Sequence, residues 1–255
     1  MAPKPSLRPA EESRNRPRAP SRGKGFVRHS ALLDATDALL AEVEPDAIGL
    51  YQIAERAGVP PASVYHFFPT KAAAFQALAE RYLVGFATLP HKPIRADRLR
   101  SWQDMMTIEH EWAVEYYNSH PTAMLLFLGG FASPEVNQAD IRFETALASA
   151  MFGLYDRVFH MPYMSAPERR FQICWAIADA VWSISYRLGK AITAEYAAEA
   201  LEACLAYCRL FLPAQVELRE PYLTAAREQQ EITLPTSVAS SDPAPGGARV
   251  RPERA

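Results

Sequence analysis

Hydrophobic residues recur along this chain at the spacing of amphipathic α-helices. The first such stripe falls at i, i+3, i+4, i+7, i+8 and i+11, and consists of Leu32, Ala35, Thr36, Leu39, Leu40 and Val43. No Val/Ile-rich alternating run or Asn-Gly hairpin interrupts these periods, so the pattern predicts an all-α protein. The predicted helices cover residues 26–43, 50–57, 61–67, 69–86, 97–118, 122–130, 135–159, 167–190 and 193–211.

Residues with strong backbone preferences mark the ends of these helices. Pro45 ends the first helix, because a proline ring is not accommodated in a helix interior. Gly58 lies where a residue in the left-handed conformation closes a short helix. Pro134 and Pro167 occupy first helical turns, and Thr193 is a good N-cap.

The two ends of the chain differ from its centre. Residues 1–24 contain five prolines and few large apolar side chains, and residues 235–255 are rich in Pro, Gly and Ser. Such segments bury too little apolar surface to offset the entropy of ordering, so we predict that both are disordered. We assign residues 25–86 to a first domain, 95–212 to a larger helical domain and 213–234 to a partly helical extension.

Charge is unevenly distributed, although 27 basic and 29 acidic residues leave a net charge of only −2. Residues 1–28 hold eight basic side chains against two acidic ones, which makes this segment a basic arm on an acidic body. Two interpretations stay open: the arm follows DNA phosphates or enters a minor groove, or it is a solubilising tail. The basic residues concerned are Arg14, Arg16, Arg18, Arg22 and Lys24.

Two of the predicted helices, 50–57 and 61–67, are short and are joined by a tight turn at Gly58. This spacing is typical of a helix-turn-helix, whose second helix enters the major groove of DNA. Its apolar face, which we expect to be buried, comprises Val64, Phe67 and Phe68. Ala62 and His66 point to the opposite side, and Ser63 and Tyr65 flank them.

The polar face has the chemistry of a DNA-reading surface. Small side chains allow close approach, hydroxyl and imidazole groups exchange hydrogen bonds with base edges, and a phenol donates to phosphate. We therefore predict DNA contacts at Tyr51, Ala62, Ser63, Tyr65 and His66, with a solvated helix face as the alternative.

Lys71 is a further candidate for a phosphate contact. It lies in the first turn of the following helix, where the helix dipole disfavours a cation by a few tenths up to about 1 kcal/mol. A nearby DNA phosphate would make the position favourable for the Lys71 cation.

These residues form a motif. Residues 53–59 have the sequence IAERAGV and residues 63–71 the sequence SVYHFFPTK. The stretch closely resembles the DNA-binding domain of tetracycline-repressor (TetR) family regulators, over residues 26–86. The resemblance implies a homodimeric, ligand-responsive transcriptional regulator whose last two long helices pair across a two-fold axis. By position in the motif, the implied DNA contacts are Ser63, Tyr65, His66 and Lys71.

Two positions depart from the usual pattern of that family. Gly49 stands where members carry Ser or Thr before the first short helix, and Pro60 stands where a polar residue opens the second. Glycine is an acceptable N-cap but supplies no side-chain contact to phosphate. The departures affect the contacts at the helix entrances and leave the groove-reading helix unchanged.

The function implied by the resemblance is a repressor that binds a pseudo-palindromic double-stranded DNA operator and is released by a small effector. The alternative is an effector-free DNA-binding or architectural protein, which should fill its C-terminal core completely. The sequence contains no phosphate-binding Gly-rich loop, metal-ligand spacing or G-x-S-x-G motif, so we predict neither enzyme activity nor a cofactor.

Helices 167–190 and 193–211 are apolar on nearly every side. One side of each has to face its own domain, and another has to be covered by something else. Such a pair suits a four-helix homodimer interface, with a larger monomeric core as the weaker alternative.

The larger domain is also rich in aromatic residues and methionine, a composition that is more often ordinary core than a binding pocket. Glu109 and Asp179 stand out within it, because an unpaired buried carboxylate is costly. Each would either pair with Arg or His110 or line a cavity for an amphipathic or aromatic molecule. The candidate effector-binding residues are Trp102, Met106, Glu109, Tyr116, Phe127, Phe152, Trp175 and Asp179.

The three cysteines fit neither a disulfide framework nor a zinc site, which favours a reducing compartment. Cys204 and Cys208 lie four apart on one helix face, which suits a thiol sensor, although a buried cysteine is usually a small apolar filler. The chain lacks the apolar core of a signal peptide and an apolar run long enough for a membrane span. We therefore expect a cytoplasmic protein that does not associate with membranes.

Overall fold

The computed structural model describes residues 16–18, 23–87, 89, 92–129 and 134–234. Within these residues the chain forms ten α-helices and one two-stranded sheet, so the predicted all-α class is confirmed apart from that sheet. The helices are α1 Gly23–Glu42, α2 Leu50–Arg56, α3 Pro61–Phe67, α4 Lys71–Phe86, α5 Trp102–Ser119, α6 Pro121–Phe127, α7 Pro134–Val158, α8 Pro167–Gly189, α9 Ala194–Cys208 and α10 Tyr222–Arg227. The strands are β1 Pro93–Arg95 and β2 Glu231–Thr233.

Local chemistry explains where most of the helices begin and end. Thr70 caps α4 by accepting a hydrogen bond from the Ala73 amide at 3.1 Å, and Thr193 caps α9. The predicted start of α5 at residue 97 is wrong, because residues 96–98 form a separate 3-10 turn. Ser101 then caps α5 by accepting from the Asp104 amide at 3.1 Å.

One hydrophobic core runs through both parts of the chain. In the N-terminal part, α1 packs on α2 and α4; in the larger part, α8 packs between α7 and α9. Helix α4 connects the two parts because it also packs along α7. The largest side chains buried in this core include Trp102, Tyr155 and Trp182.

Residues 212–234, here called the strap, return across the larger domain to the connection between α4 and α5. The Trp102 indole N–H donates to the Pro213 carbonyl at 2.9 Å, and the Arg219 amide donates to the Val158 carbonyl at 2.8 Å. At its far end, β2 pairs antiparallel with β1, with Ile94 opposite Ile232. The strap therefore joins residues that are far apart in sequence.

The helical pattern did not predict this sheet, since each strand has only three residues. The predicted terminal tails lie almost entirely outside the described residues. In the described part of the chain, no helix is long and apolar enough to cross a membrane.

Candidate DNA-binding interface and effector cavity

Helices α2 and α3 form a tight helix-turn-helix. Gly58 lies between them with φ +64°, the left-handed conformation that the sequence predicts for it. The Val59 amide donates to the Ala54 carbonyl at 3.1 Å, which closes the turn. Gly49 caps α2, and its amide donates to the Gln52 side chain at 2.6 Å.

The inner face of α3 is held in the core of the N-terminal domain. Val64, Phe67 and Phe68 are buried, as predicted. The His29 ring of α1 lies against both phenylalanine rings, with centroids 5.4 Å and 5.3 Å apart. Burial lowers the pKa of His29, with Arg81 as a second cause, so this contact is made by the neutral ring.

The outer face of α3 is open to solvent. Tyr65 is 54% exposed, and Ala62 and His66 are also exposed, whereas Ser63 is half-buried. Tyr51 on α2 is 66% exposed. The structure therefore places all five candidates on the helix-turn-helix, with their side chains at least partly accessible to solvent. Their DNA contacts remain predictions.

Lys71 has protein partners that the sequence did not indicate. Its ammonium donates to the Pro45 carbonyl at 3.1 Å and to the Asp46 carbonyl at 3.4 Å. These carbonyls offset the unfavourable helix dipole, so the position of Lys71 does not require a nearby phosphate. An ammonium has three donors, and a phosphate contact through the third stays a prediction.

Part of the basic arm lies beside α3. The Arg18 amide donates to the Phe67 carbonyl at 2.9 Å, which places residues 16–18 at the C-terminal end of that helix. Arg16 and Arg18 are exposed. The predicted arm residues Arg14 and Arg22 lie outside the described residues, and Lys24 is an exposed residue of α1.

The two parts of the chain are joined by a polar network at α4. The Tyr82 hydroxyl donates to Asp37 of α1 at 2.8 Å, and burial followed by this bond raises the pKa of Tyr82. From α5, the Tyr116 hydroxyl donates to the Tyr82 carbonyl at 2.7 Å. A Cβ at Gly85 would lie 2.6 Å from that hydroxyl, so glycine is required for the close approach.

The larger domain encloses a small apolar cavity of about 30 Å³ between α4, α5, α7 and α8. A space of this size holds about two water molecules. It is lined by Phe86, Leu89, Glu109, Trp112, Leu147, Met151, Leu154 and Trp175.

Glu109 is the acidic group of this cavity. It is 7% exposed, and one carboxyl oxygen accepts a hydrogen bond from the Tyr155 hydroxyl at 2.8 Å. Burial raises the pKa of Glu109 to about 8, and the bond from Tyr155 offsets part of that effect. Of the two alternatives for Glu109, the described residues show the cavity lining, with Tyr155 rather than Arg or His110 as the partner. The group is mainly a neutral carboxylic acid near pH 7.

Residues 32–78, which include α2, α3 and the start of α4, match the family of bacterial regulatory proteins, tetR family. The helix-turn-helix part of the chain is therefore a tetR-family domain. Regulators of this family act on transcription by binding DNA, which assigns the helix-turn-helix to DNA.

Solved structures share the fold of this chain. A TetR-family transcriptional regulator from Streptomyces coelicolor is 24% identical, with 73% of this chain and 98% of that chain covered at a TM-score of 0.54. A putative TetR-family regulator from Mesorhizobium loti is 12% identical, with coverages of 75% and 100% and a TM-score of 0.55. SmeT, the repressor of the Stenotrophomonas maltophilia multidrug efflux pump SmeDEF, is 18% identical, with coverages of 76% and 92% and a TM-score of 0.51. No curated protein matches the chain.

Six of the predicted effector residues do not line the cavity formed by the described residues, and only Glu109 and Trp175 do. The Tyr116 hydroxyl is hydrogen-bonded to the Tyr82 carbonyl. Asp179 was chosen because a buried carboxylate was expected there, but its side chain is only half-buried. The six residues are Trp102, Met106, Tyr116, Phe127, Phe152 and Asp179.

Sequence reasoning missed Tyr155, which supplies the hydrogen bond to Glu109. Tyr155 is a phenol on an apolar helix stripe, and a buried hydroxyl normally has a hydrogen-bond partner. That pattern could have indicated a polar partner for Tyr155 in the core. In the described part of the chain, no group of His, Cys, Asp or Glu is arranged to hold a metal ion.

Proposed function

We propose that this tetR-family regulator is a homodimeric repressor that reads a pseudo-palindromic operator through α3 and is released by a small effector. The observation that carries the proposal is the division of α3 into two faces. Val64, Phe67 and Phe68 fix the helix in its domain, while Tyr65 and His66 project into solvent. A helix held in this way presents a rigid polar surface to a major groove.

An exposed apolar stripe on α8 supports the dimer. Ile173, Ile184 and Leu188 are 41%, 42% and 73% exposed and lie at i, i+11 and i+15, with half-buried Ile177 between them. Leu210, after α9, is 78% exposed. The opposite face of α8 is buried in its own domain, so this stripe is the surface that a second copy would cover.

Two copies joined through α8 and α9 would present two recognition helices. A dimer of this class reads half-sites about 34 to 36 Å apart, in successive major grooves. The repressor role is supported by the resemblance to the tetracycline-repressor family, and SmeT, which shares the fold, is a repressor.

The effector site we propose is the cavity at Glu109. Its 30 Å³ is too small for an aromatic or amphipathic molecule, so binding has to move the surrounding helices apart. Phe86 places the end of α4 in the cavity wall, and α4 reaches the DNA-binding part. Moving α4 would change the spacing of the recognition helices, and a coupling of about 1 to 3 kcal/mol weakens operator binding roughly 5 to 150-fold.

DNA binding is tested with operator fragments selected by the purified protein from genomic DNA. Tyr65→Ala and Lys71→Ala should each weaken binding to the selected inverted repeat at least about tenfold, since each removes a hydrogen bond to a charged phosphate worth about 1.5 to 3 kcal/mol. Tyr163→Ala is the matched control, because Tyr163 is 96% exposed on the larger domain. Unchanged binding by both α3-region variants would remove the assignment.

The dimer is tested by sedimentation equilibrium. Leu188→Glu introduces a charge on the exposed stripe and should yield folded monomers. Val84→Glu is the control, because Val84 is 68% exposed on α4, away from the stripe. A dimer that is equally stable in both variants would contradict the proposed interface.

The effector is tested by fluorescence, since Trp112 and Trp175 line the cavity. A panel of amphipathic aromatic compounds should include members that quench this emission and release the selected DNA fragment. Glu109→Gln should change the affinity for those members. If no compound that quenches the fluorescence also releases DNA, the effector proposal is contradicted and the effector-free interpretation is favoured.

A further inference from the structure

The structure gathers the three cysteines of the chain into one buried cluster between α8 and α9. The Cys208 thiol donates to the Cys174 sulfur at 3.7 Å, and the Cys204 thiol donates to the Cys174 carbonyl at 3.1 Å. All three residues are at most 1% exposed. The sequence had placed only Cys204 and Cys208 together, and the contact with Cys174 joins two different helices.

His110 of α5 lies against this cluster with an unused nitrogen. Its Nδ1 donates to the Met106 carbonyl at 2.9 Å, which leaves Nε2 as an acceptor in the neutral ring. That Nε2 is buried and has no hydrogen-bond partner among the described residues. A buried acceptor without a partner is costly, and the Cys204 thiol is the nearby group that can supply its proton.

The electrostatics favour Cys204 as the reactive thiol. A hydrogen bond from Cys174 and then the neighbouring His110 lower the pKa of Cys204, against the effect of burial. The hydrogen bond to Cys204 is the largest cause that raises the pKa of Cys174. The pKa values of the two thiols therefore move in opposite directions, which favours Cys204 over Cys174 as the thiolate.

His110 also lines a groove that is open to solvent. An open groove of about 450 Å³ lies between α5 and α9, and His110, Val114, Ala197 and Leu201 are among its lining residues. Cys204 lies three residues after Leu201 on the same helix, so α9 both lines this groove and carries the thiol. For a hydroperoxide to reach the buried sulfur from this groove, the His110 ring would have to move, since all three thiols are at most 1% exposed.

We propose that this cluster is an oxidation site for small hydroperoxides, in which Cys204 reacts first and Cys174 completes a disulfide between α8 and α9. The Cys204 thiol gives its proton to His110 Nε2, and the sulfur attacks the terminal peroxide oxygen. The S–O bond forms, the O–O bond breaks, and the leaving oxygen takes the proton from His110 to depart as water or an alcohol.

The second step uses the Cys174 thiol. Its sulfur attacks the sulfenic sulfur of Cys204, the S–S bond forms, and the S–O bond breaks with release of water. The two thiols together lose two electrons, which reduce the hydroperoxide. Cys208 is a spectator in contact with Cys174.

The experiment uses the full-length chain treated with hydrogen peroxide, followed by maleimide blocking in denaturant and mass analysis. Since the chain has three cysteines, oxidation should leave one that reacts with maleimide and lower the intact mass by the two hydrogens lost. The blocked residue should be Cys208. Trypsin separates Cys174, on residues 171–187, from the other two, which share residues 191–209, so fragmentation locates the label.

Matched variants separate the roles of the two α9 cysteines. Cys208→Ser should form the disulfide at the wild-type rate, whereas Cys204→Ser should form none. His110→Gln should slow the reaction at least about tenfold while circular dichroism stays that of the wild type. The urea-unfolded chain should show no preference for Cys204.

Three results would overturn the proposal. One is a Cys174–Cys208 disulfide that persists in Cys204→Ser. Another is a folded chain that reacts no faster than its unfolded form. The third is a folded His110→Gln variant that reacts at the wild-type rate. None of these measurements depends on DNA binding, so they test the cluster separately from the regulatory function.

Discussion

Glu109→Gln should remove most of the pH dependence that the buried acid gives to the stability of the protein. The pKa of Glu109 is about 8 in the folded chain, against an ordinary value of 4.5 that we take for the unfolded chain. Between these two values the folded state binds more protons than the unfolded state, so the free energy of unfolding falls as the pH rises.

The expected slope is about −1.4 kcal/mol per pH unit in that window, and the loss accumulated by pH 7 is about 3 kcal/mol relative to pH 4.5. A glutamine keeps an oxygen to accept from Tyr155 but does not titrate. The variant should therefore be close to or below the wild type in stability at pH 5.5, and above it at pH 8.5.

The assay is urea unfolding of both proteins at intervals from pH 5.5 to 8.5. Other titrating groups, including His29, are common to both and cancel in the difference. Glu111→Gln is the control, because Glu111 is exposed on the same helix and pairs with Arg98 at the surface. Stability curves for wild type and Glu109→Gln that run parallel across this range would refute the reasoning.

Three further substitutions test the packing around this site. Gly85→Ala places a Cβ 2.6 Å from the Tyr116 hydroxyl and should cost about 1 to 3 kcal/mol in urea unfolding; adding Tyr116→Phe should restore part of that loss, and an additive double variant would contradict the contact. Tyr155→Phe removes the donor to Glu109 and should cost about 1 to 2 kcal/mol, more at pH 8 than at pH 6, whereas a loss independent of pH would place the effect elsewhere. Thr70→Ala removes the N-cap of α4 and should lower stability by about 1 kcal/mol, a loss that Thr70→Ser should largely avoid.

The sequence predicted the helices well where local signals agree. Helix α3 begins at Pro61, shortly after the turn at Gly58, and carries an apolar face of three large residues. Its predicted range matches the structure. Such boundaries depend on the conformational preferences of a few neighbouring residues, so they can be derived without knowledge of the rest of the fold.

The features that were missed depend on contacts between distant residues. The carbonyls that hold Lys71 belong to a turn about 25 residues earlier, and Tyr155 is 46 residues from Glu109. Likewise, the third member of the thiol cluster, Cys174, lies 30 residues before Cys204. Periodicity shows which face of a helix is buried but not which side chains meet there, so the cavity lining was largely unpredictable.

The pairing of β1 with β2 also sets an order of events during synthesis. Ile94 pairs with Ile232, so the connection between the DNA-binding helices and the larger domain lacks its partner until nearly 140 more residues have been made. At about 5 to 20 residues per second, that interval is roughly 7 to 30 s on the ribosome. The helix-turn-helix emerges early, whereas its attachment to the larger domain is completed only when the strap arrives.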